Sequence, residues 1–272
     1  MNRPDPRSFV TEPLKRAAVR HLKTRVRPET WDRLRGHPEP PPRPDLTTIA
    51  QRTGTDKWGL HYYTPHYERH LGHLRDEAFT LLEIGVGGYA RTGQGGASLR
   101  MWRRFFPNAQ VVGLDIEDKS FVDRPRITTV QGDQTDASVL EAIIDRFGVP
   151  LVVIDDGSHR PADIIATFGI LFPLLPDGAV YAIEDTQTSY WPEFGGSEDR
   201  GDPSTTMAFV KRLLDGLNHE EFLDQDYEAS YTDTHVRAVH CYHNLVILEK
   251  GANREGSNKR KVLPGRYRRS AD

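Results

Sequence analysis

Four apolar runs, each as long as a buried strand and each carrying a carboxylate at or near its end, constrain this chain most: LLEIG at 81–85, VVGLDI at 111–116, VVIDDG at 152–157 and VYAIED at 180–185. Runs this short do not make a globular helix, but they suit strands covered on both faces. The strand candidates are FTLLEIG (79–85), AQVVGLDI (109–116), ITTVQGD (127–133), LVVIDDG (151–157) and GAVYAIED (178–185). Helical-period stretches lie between and after them, near 97–106, 136–147, 161–174 and 204–218. This alternation is the pattern of βαβ units and a parallel sheet. VRAVHCYH and NLVILEKG, almost contiguous from residue 236 to 251, predict two antiparallel strands along one edge. The expected fold is α/β, a Rossmann-like doubly wound seven-stranded sheet, mostly parallel with an antiparallel edge strand, with a weaker strand near 227–232 also expected.

Open sheets of this kind bind ligands beyond the carboxyl ends of their strands. The acids fall there in series: Glu83, Asp115, Asp133, Asp155 with Asp156, and Glu184 with Asp185. Desolvated carboxylates are costly unless something pairs them, so this edge is the candidate binding site.

The rest of the chain narrows the possibilities. At 272 residues it suits one large domain with appendages. Residues 1–45 form a basic, Pro-rich arm that closes in HPEPPPRPD; 46–250 carry the domain; 251–272 form a basic tail too poor in apolar residues to fold alone. Within the arm, residues 12–35 carry a basic amphipathic pattern, read as a solvated surface segment. A net charge of −3 gives no reason to expect a nucleic-acid or anionic-membrane partner. Cys241 is the single cysteine, so no internal disulfide forms, and no apolar run approaches the length of a membrane span. The first twenty residues hold no apolar core of the length a secretion signal needs, and the expected location is cytoplasmic.

LLEIGVGGYARTGQGG places Gly85, Gly87 and Gly88 directly after a strand, where a tight turn lets backbone approach a ligand. Gly85, Gly87 and Ala90 also satisfy the dinucleotide pattern G-x-G-x-x-G/A, which makes a nicotinamide oxidoreductase the rival from another class. Two details oppose it. The loop runs on through RTGQGG before a helix begins, and Asp115 follows Gly85 by 30 residues where the dinucleotide fingerprint wants about 20. Asp115 is placed to accept from ribose hydroxyls and Asp133 from an adenine amino group, while Asp136 suits the N-cap of the next helix.

EIGVGG at 83–88, GLDI at 113–116 and QGD at 131–133 resemble the S-adenosylmethionine-binding motifs of class I methyltransferases. GTDK at 54–57, HYYTPHYE at 61–68, DDGSH at 155–159 and EDTQTSYW at 184–191 resemble, more specifically, the metal-dependent sugar O-methyltransferases. That family includes the macrolide mycinose-pathway, tetracenomycin-rhamnose and mycobacterial methylmannose-polysaccharide enzymes. The resemblance covers about residues 50–250. It implies S-adenosylmethionine at Glu83, Gly85, Gly87, Asp115 and Asp133, with Lys57 and Tyr63 folding over it. Asp156, Glu184 and Asp185 converge if their strands are neighbours, and three hard oxygen ligands suit Mg²⁺ better than Zn²⁺. The resemblance makes these three the metal ligands and His159 the general base. A sugar hydroxyl is a poor nucleophile near neutral pH, so a cation to stabilise the oxyanion and an imidazole to take the proton answer a real need. Asp155, on the opposite side of the extended chain from Asp156, is read as a hydrogen-bonding group of the fold.

Tyr190, Trp191 and Phe194, on the loop beyond the metal acids, offer faces to the C–H surface of a sugar ring. His240, Cys241 and His243 lack the spaced second pair of a closed zinc site and are read as packing. The implied acceptor is a glycoside, either an antibiotic sugar or a mannose-type saccharide, with a catechol-type O-methyltransferase as the nearest alternative. A homo-oligomer is expected, as in the family.

Overall fold

The computed structural model describes residues 42–89 and 93–259. The amphipathic stretch within the arm, Ala90 and the tail from residue 260 lie outside the described residues. Contacts divide the chain between Pro44 and Asp45, and every element below belongs to the unit that starts at Asp45.

Helix α1 (Leu46–Thr53) starts where the Asp45 carboxylate accepts from Thr48 N and stops at Gly54 in the left-handed region. Helix α2 (Thr64–Leu71) follows, with Pro65 in its first turn, where a missing N–H costs nothing. Then come β1 (Thr80–Ile84), α3 (Ala97–Phe105), β2 (Gln110–Asp115), β3 (Ile127–Gln131), α4 (Ala137–Phe147), β4 (Val152–Asp155), α5 (Pro161–Leu171) and β5 (Val180–Glu184). Helices α6 (Thr206–Gly216) and α7 (Tyr231–His235) and strands β6 (Val236–Tyr242) and β7 (Leu245–Lys250) complete the unit. Asp136 does cap α4, accepting from Ser138 N.

The sheet order is β3-β2-β1-β4-β5-β7-β6. Strands β1 to β5 are parallel, and β7 runs antiparallel to both β5 and β6. The antiparallel strand is therefore last but one, and the edge itself is β6. Its hairpin turns at His243–Asn244, with Asn244 in the left-handed conformation that such short loops require. The seven strands are reached without the weak strand expected near 227–232. Residues 227–230 are irregular there, and Ser230 opens α7 through a reciprocal capping box with Asp233.

Side-chain alternation sorts the core into two layers. Leu81, Val152, Ile154, Val180 and Ala182 pack with Leu46, Tyr67, Leu99, Trp102 and Phe105 from α1, α2 and α3. Leu82, Ile84, Val153, Tyr181 and Ile183 pack with Leu140, Ile143, Ile164, Phe168 and Leu213 from α4, α5 and α6. Each fully buried large apolar side chain stabilises the fold by about 1.5–3 kcal/mol. Register pairs Ile84 with Asp155 and Asp155 with Ile183. Asp156 is thereby level with Glu184, and the strand-end acids gather at the centre of one sheet edge.

The first residues of the expected tail are held in place. Ser257 Oγ donates to Glu221 Oε2 at 2.8 Å, and Asn253 Nδ2 donates to the Asp233 carbonyl at 2.8 Å.

Candidate active site

Glu83, Asp156 and Glu184 share the face of the sheet that looks toward α1 and α2, and one cation meets all three. Lys57 Nζ lies 2.7 Å from Asp156 Oδ2, 2.7 Å from Glu184 Oε2 and 3.3 Å from Glu83 Oε1. Burial pulls the ammonium down, but the three negative charges outweigh it and hold Lys57 well above its ordinary value. Tyr67 Oη donates to Glu184 Oε1 at 2.6 Å. Burial, then the charge of Asp156, pushes the Glu184 carboxyl up against the pull of Lys57 and Tyr67. Burial also lifts Glu83 to about 7.

Asp185 stands one residue further out. It accepts from Tyr63 Oη at 2.8 Å, and the same hydroxyl reaches the Asn244 carbonyl at 3.1 Å. His159 Nε2 is 3.8 Å from Asp185 Oδ2 and 4.0 Å from Asp156 Oδ1. Single ligand atoms of Asp156, His159 and Asp185 all lie within 4.8 Å of one another. His159 and Asp185 both hold left-handed backbone, with φ of 57° and 53°. Such strain persists where the surroundings over-determine a position, and it is common at functional sites.

Asp155 points the other way. It accepts from Tyr181 Oη at 3.2 Å and from Gln134 Nε2 at 3.3 Å, and burial lifts its carboxyl to about 7.

Two clefts open at this edge. The first, of about 450 Å³, is lined by Gly85, Tyr89, Asp115, Asp133, Gln134 and His159, among others. The second, of about 840 Å³, is lined by Gly87, Arg100, Arg124, Asp156, His159 and Asp185, among others. His159 belongs to both. Asp115 is aimed by donations from Val86 N at 2.8 Å, Tyr89 Oη at 3.0 Å and Glu117 N at 2.9 Å. Asp133 closes a local turn, accepting from Thr135 N at 2.8 Å. The glycines divide their roles: Gly85 N–H donates to the Leu114 carbonyl, and a Cβ there would stand 2.0 Å from Asp156 O. Gly85 thus lets the loops after β1 and β4 meet, whereas a Cβ on Gly87 would meet nothing within 4 Å.

The residues singled out from sequence fall into three groups. Gly85, Gly87, Asp115 and Asp133 line the clefts, with Asp156, Asp185 and His159 beside them. Lys57, Glu83, Tyr63 and Glu184 form the layer behind, where their polar atoms engage one another or Asp156 and Asp185. Lys57 would have to leave three carboxylates to touch a cofactor with its side chain. Tyr190 and Phe194 end two successive 3₁₀ turns after Asp185, with Trp191 between them; all three lie outside the lining of either cleft, and Tyr190 and Trp191 are each 43% exposed. Tyr67, Gln134 and Tyr89 were not expected. The first had a signal, since Tyr63 and Tyr67 are four apart and so share a helix face.

No family model matches the chain. It is 46% identical over 233 residues to demethylmacrocin O-methyltransferase of Streptomyces fradiae, covering 85% of this chain and 58% of that protein. It is 47% identical over 217 residues to mycinamicin VI 2''-O-methyltransferase of Micromonospora griseorubida, covering 79% and 54%. The crystal structure of MycE, the methyltransferase of the mycinamycin pathway in complex with Mg and SAH, superposes with a TM-score of 0.76. The two are 40% identical, and the match covers 94% of this chain and 68% of that one. The chain belongs to the MycE family of sugar O-methyltransferases. The motifs DDGSH and EDTQTSYW point to this family, and the seven-stranded sheet is its fold. The chain spans little more than half the length of the curated MycE-family relatives it matches, 54–58% of the two named here.

Proposed function

We propose that this chain transfers the methyl group of S-adenosylmethionine to a sugar hydroxyl of an antibiotic glycoside, with Mg²⁺ and His159 activating the hydroxyl. The observation that carries the reading is the position of His159, which lines both clefts and stands within 4.0 Å of Asp156 and Asp185. A donor in one cleft and an acceptor in the other would meet at this imidazole.

The donor set fits a hard divalent cation. Asp156 and Asp185 present carboxylate oxygens close together and level with the ends of β4 and β5. Each Glu184 oxygen has a single donor, Lys57 or Tyr67, and keeps a second lone pair. Asp156, Glu184 and Asp185 would hold the ion. Bound there, it supplies positive charge that stabilises an oxygen losing its proton.

The protein's own groups do the rest. Asp115, held by three donors, takes the ribose hydroxyls, and Asp133 with Gln134 faces the adenine end. The glycine turn at 85–88 leaves room for the methionyl portion. His159 Nε2 accepts the hydroxyl proton as the oxygen forms its bond to the methyl carbon. The C–S bond breaks with its electron pair left on sulfur, and S-adenosylhomocysteine departs. Tyr63 fixes Asp185, while Lys57 and Tyr67 fix Glu184, so the acids do not reorganise during transfer. Support for the antibiotic sugar as acceptor comes from the named substrates of the relatives; MycE itself is known with mycinamycin VI. Homo-oligomeric assembly, expected in this family, and a cytoplasmic location belong to the same proposal. Among the described residues no helix is long and apolar enough to cross a membrane.

The test is transfer of labelled methyl to rhamnosylated and deoxyhexosylated antibiotics, with a catechol as comparison. Product should form on the glycosides, stop in EDTA and return with Mg²⁺. Full activity in chelator, or turnover on the catechol alone, contradicts the reading.

A further inference from the structure

Far along the sheet from these acids, three potential metal ligands meet where α2 crosses the β6–β7 hairpin. Ala238 pairs with Glu249, so His240, Tyr242 and Glu249 share the face on which α2 lies. His66 and His70, four apart on α2, turn toward them. The His66 ring stacks on Tyr242 at 3.7 Å, and the His70 and His240 ring centroids are 4.3 Å apart.

Both imidazoles address the same oxygen. His240 Nε2 is 3.1 Å and His70 Nδ1 is 3.7 Å from Glu249 Oε1. A four-coordinate Zn²⁺ with bonds of about 2.0–2.1 Å holds neighbouring ligand atoms roughly 3.3 Å apart, and the observed separations bracket that value. The surroundings suit the task as well. His70 Nε2 is 2.8 Å from Tyr242 Oη, so when Nε2 donates there, Nδ1 keeps its lone pair facing Glu249. Glu249 Oε2 is held at 2.7 Å by Arg237 Nη2, which fixes the carboxylate without taking Oε1. Burial favours the neutral, ligating form of His70. His240 and Glu249 are partly exposed, leaving an entry path and room for a water as fourth ligand.

We propose that His70, His240 and Glu249 form a second metal site, specific for a borderline divalent transition ion such as Zn²⁺ and separate from the carboxylate site. Two imidazoles and one carboxylate select such an ion over Mg²⁺. The bound ion ties α2 to the edge hairpin. His240 thus enters a site with a helix 170 residues earlier in the chain, and not with its neighbours Cys241 and His243.

The full chain, stripped of metal and kept in excess Mg²⁺, is titrated with Zn²⁺ by calorimetry. One equivalent should bind to the wild type and to the D156N/D185N variant, and that equivalent should be lost in H240A. Y242F should weaken it by about tenfold, the usual cost of removing an outer-shell partner. Since H70A cuts into a buried contact, His240→Ala is the primary probe and Co²⁺ is the independent readout. Intense visible absorption of four-coordinate Co²⁺ should arise in the wild type and in D156N/D185N, but not in H240A. Equal Zn²⁺ binding by wild type and H240A, binding lost in D156N/D185N alone, or no binding at all overturns the proposal.

Discussion

Lys57 shows at the scale of one residue what the chain gains by placing a cation under its site. Glu83, Asp156 and Glu184 are brought together by the sheet register, and without a counter-charge their mutual repulsion would oppose folding. The Lys57→Met substitution leaves buried carboxylates unpaired and should cost about 3–5 kcal/mol, read from urea unfolding; unaltered stability would show the acids to be compensated otherwise. Asp155, one residue away on the other face, titrates in the opposite sense to an ion-paired acid. Its folded value of about 7 lies above the ordinary value of 3.8, so the native state holds this proton more tightly than the unfolded chain does. Its contribution is greatest below about pH 4 and fades as pH rises through about 7, by up to about 4 kcal/mol. Asp155→Asn should flatten that slope in unfolding measured at pH 5 and pH 8, and an unchanged slope would assign the pH dependence elsewhere. The sequence made the acids legible because they end apolar runs. It could not show that Lys57 faces them, since that contact spans 99 residues to Asp156 and 127 to Glu184.

Among the elements, the loops after β1 and β4 depend on each other. Gly85 has φ of 87° and no room for a Cβ against Asp156 O. Gly85→Ala should destabilise the chain by about 3 kcal/mol and weaken S-adenosylhomocysteine, whereas Gly87→Ala, at a roomier position, should cost less. A thermal melt of both variants decides this, and equal effects would contradict the division of roles. The parallel strands were readable because strand and helix periods alternate so regularly between 79 and 185. The stretch near 227–232 misled because Tyr227, Ala229 and Tyr231 alternate with polar residues as in a strand, while Ser230 and Asp233 were already spaced as a capping box. Local capping of this kind decides short elements more firmly than a few apolar residues do.

For the molecule as a whole, the sheet does the gathering. Strand order β1-β4-β5 brings the ends of three segments together, and antiparallel β7 closes the site from the side where Asn244 meets Tyr63. Fold and acid positions followed from sequence, but the split between cleft-lining groups and the layer behind them did not. That split depends on which way each strand-end side chain points and on the helices packed over it.

The central claim is that His159 takes the proton in methyl transfer at the seam between the two clefts. The most direct measurement compares turnover of a glycoside acceptor by wild type and His159→Gln, alongside S-adenosylhomocysteine binding to both by calorimetry. Loss of general-base catalysis should lower turnover by about 100-fold or more with cofactor affinity unchanged. A His159→Gln enzyme that turns over at the wild-type rate would contradict it.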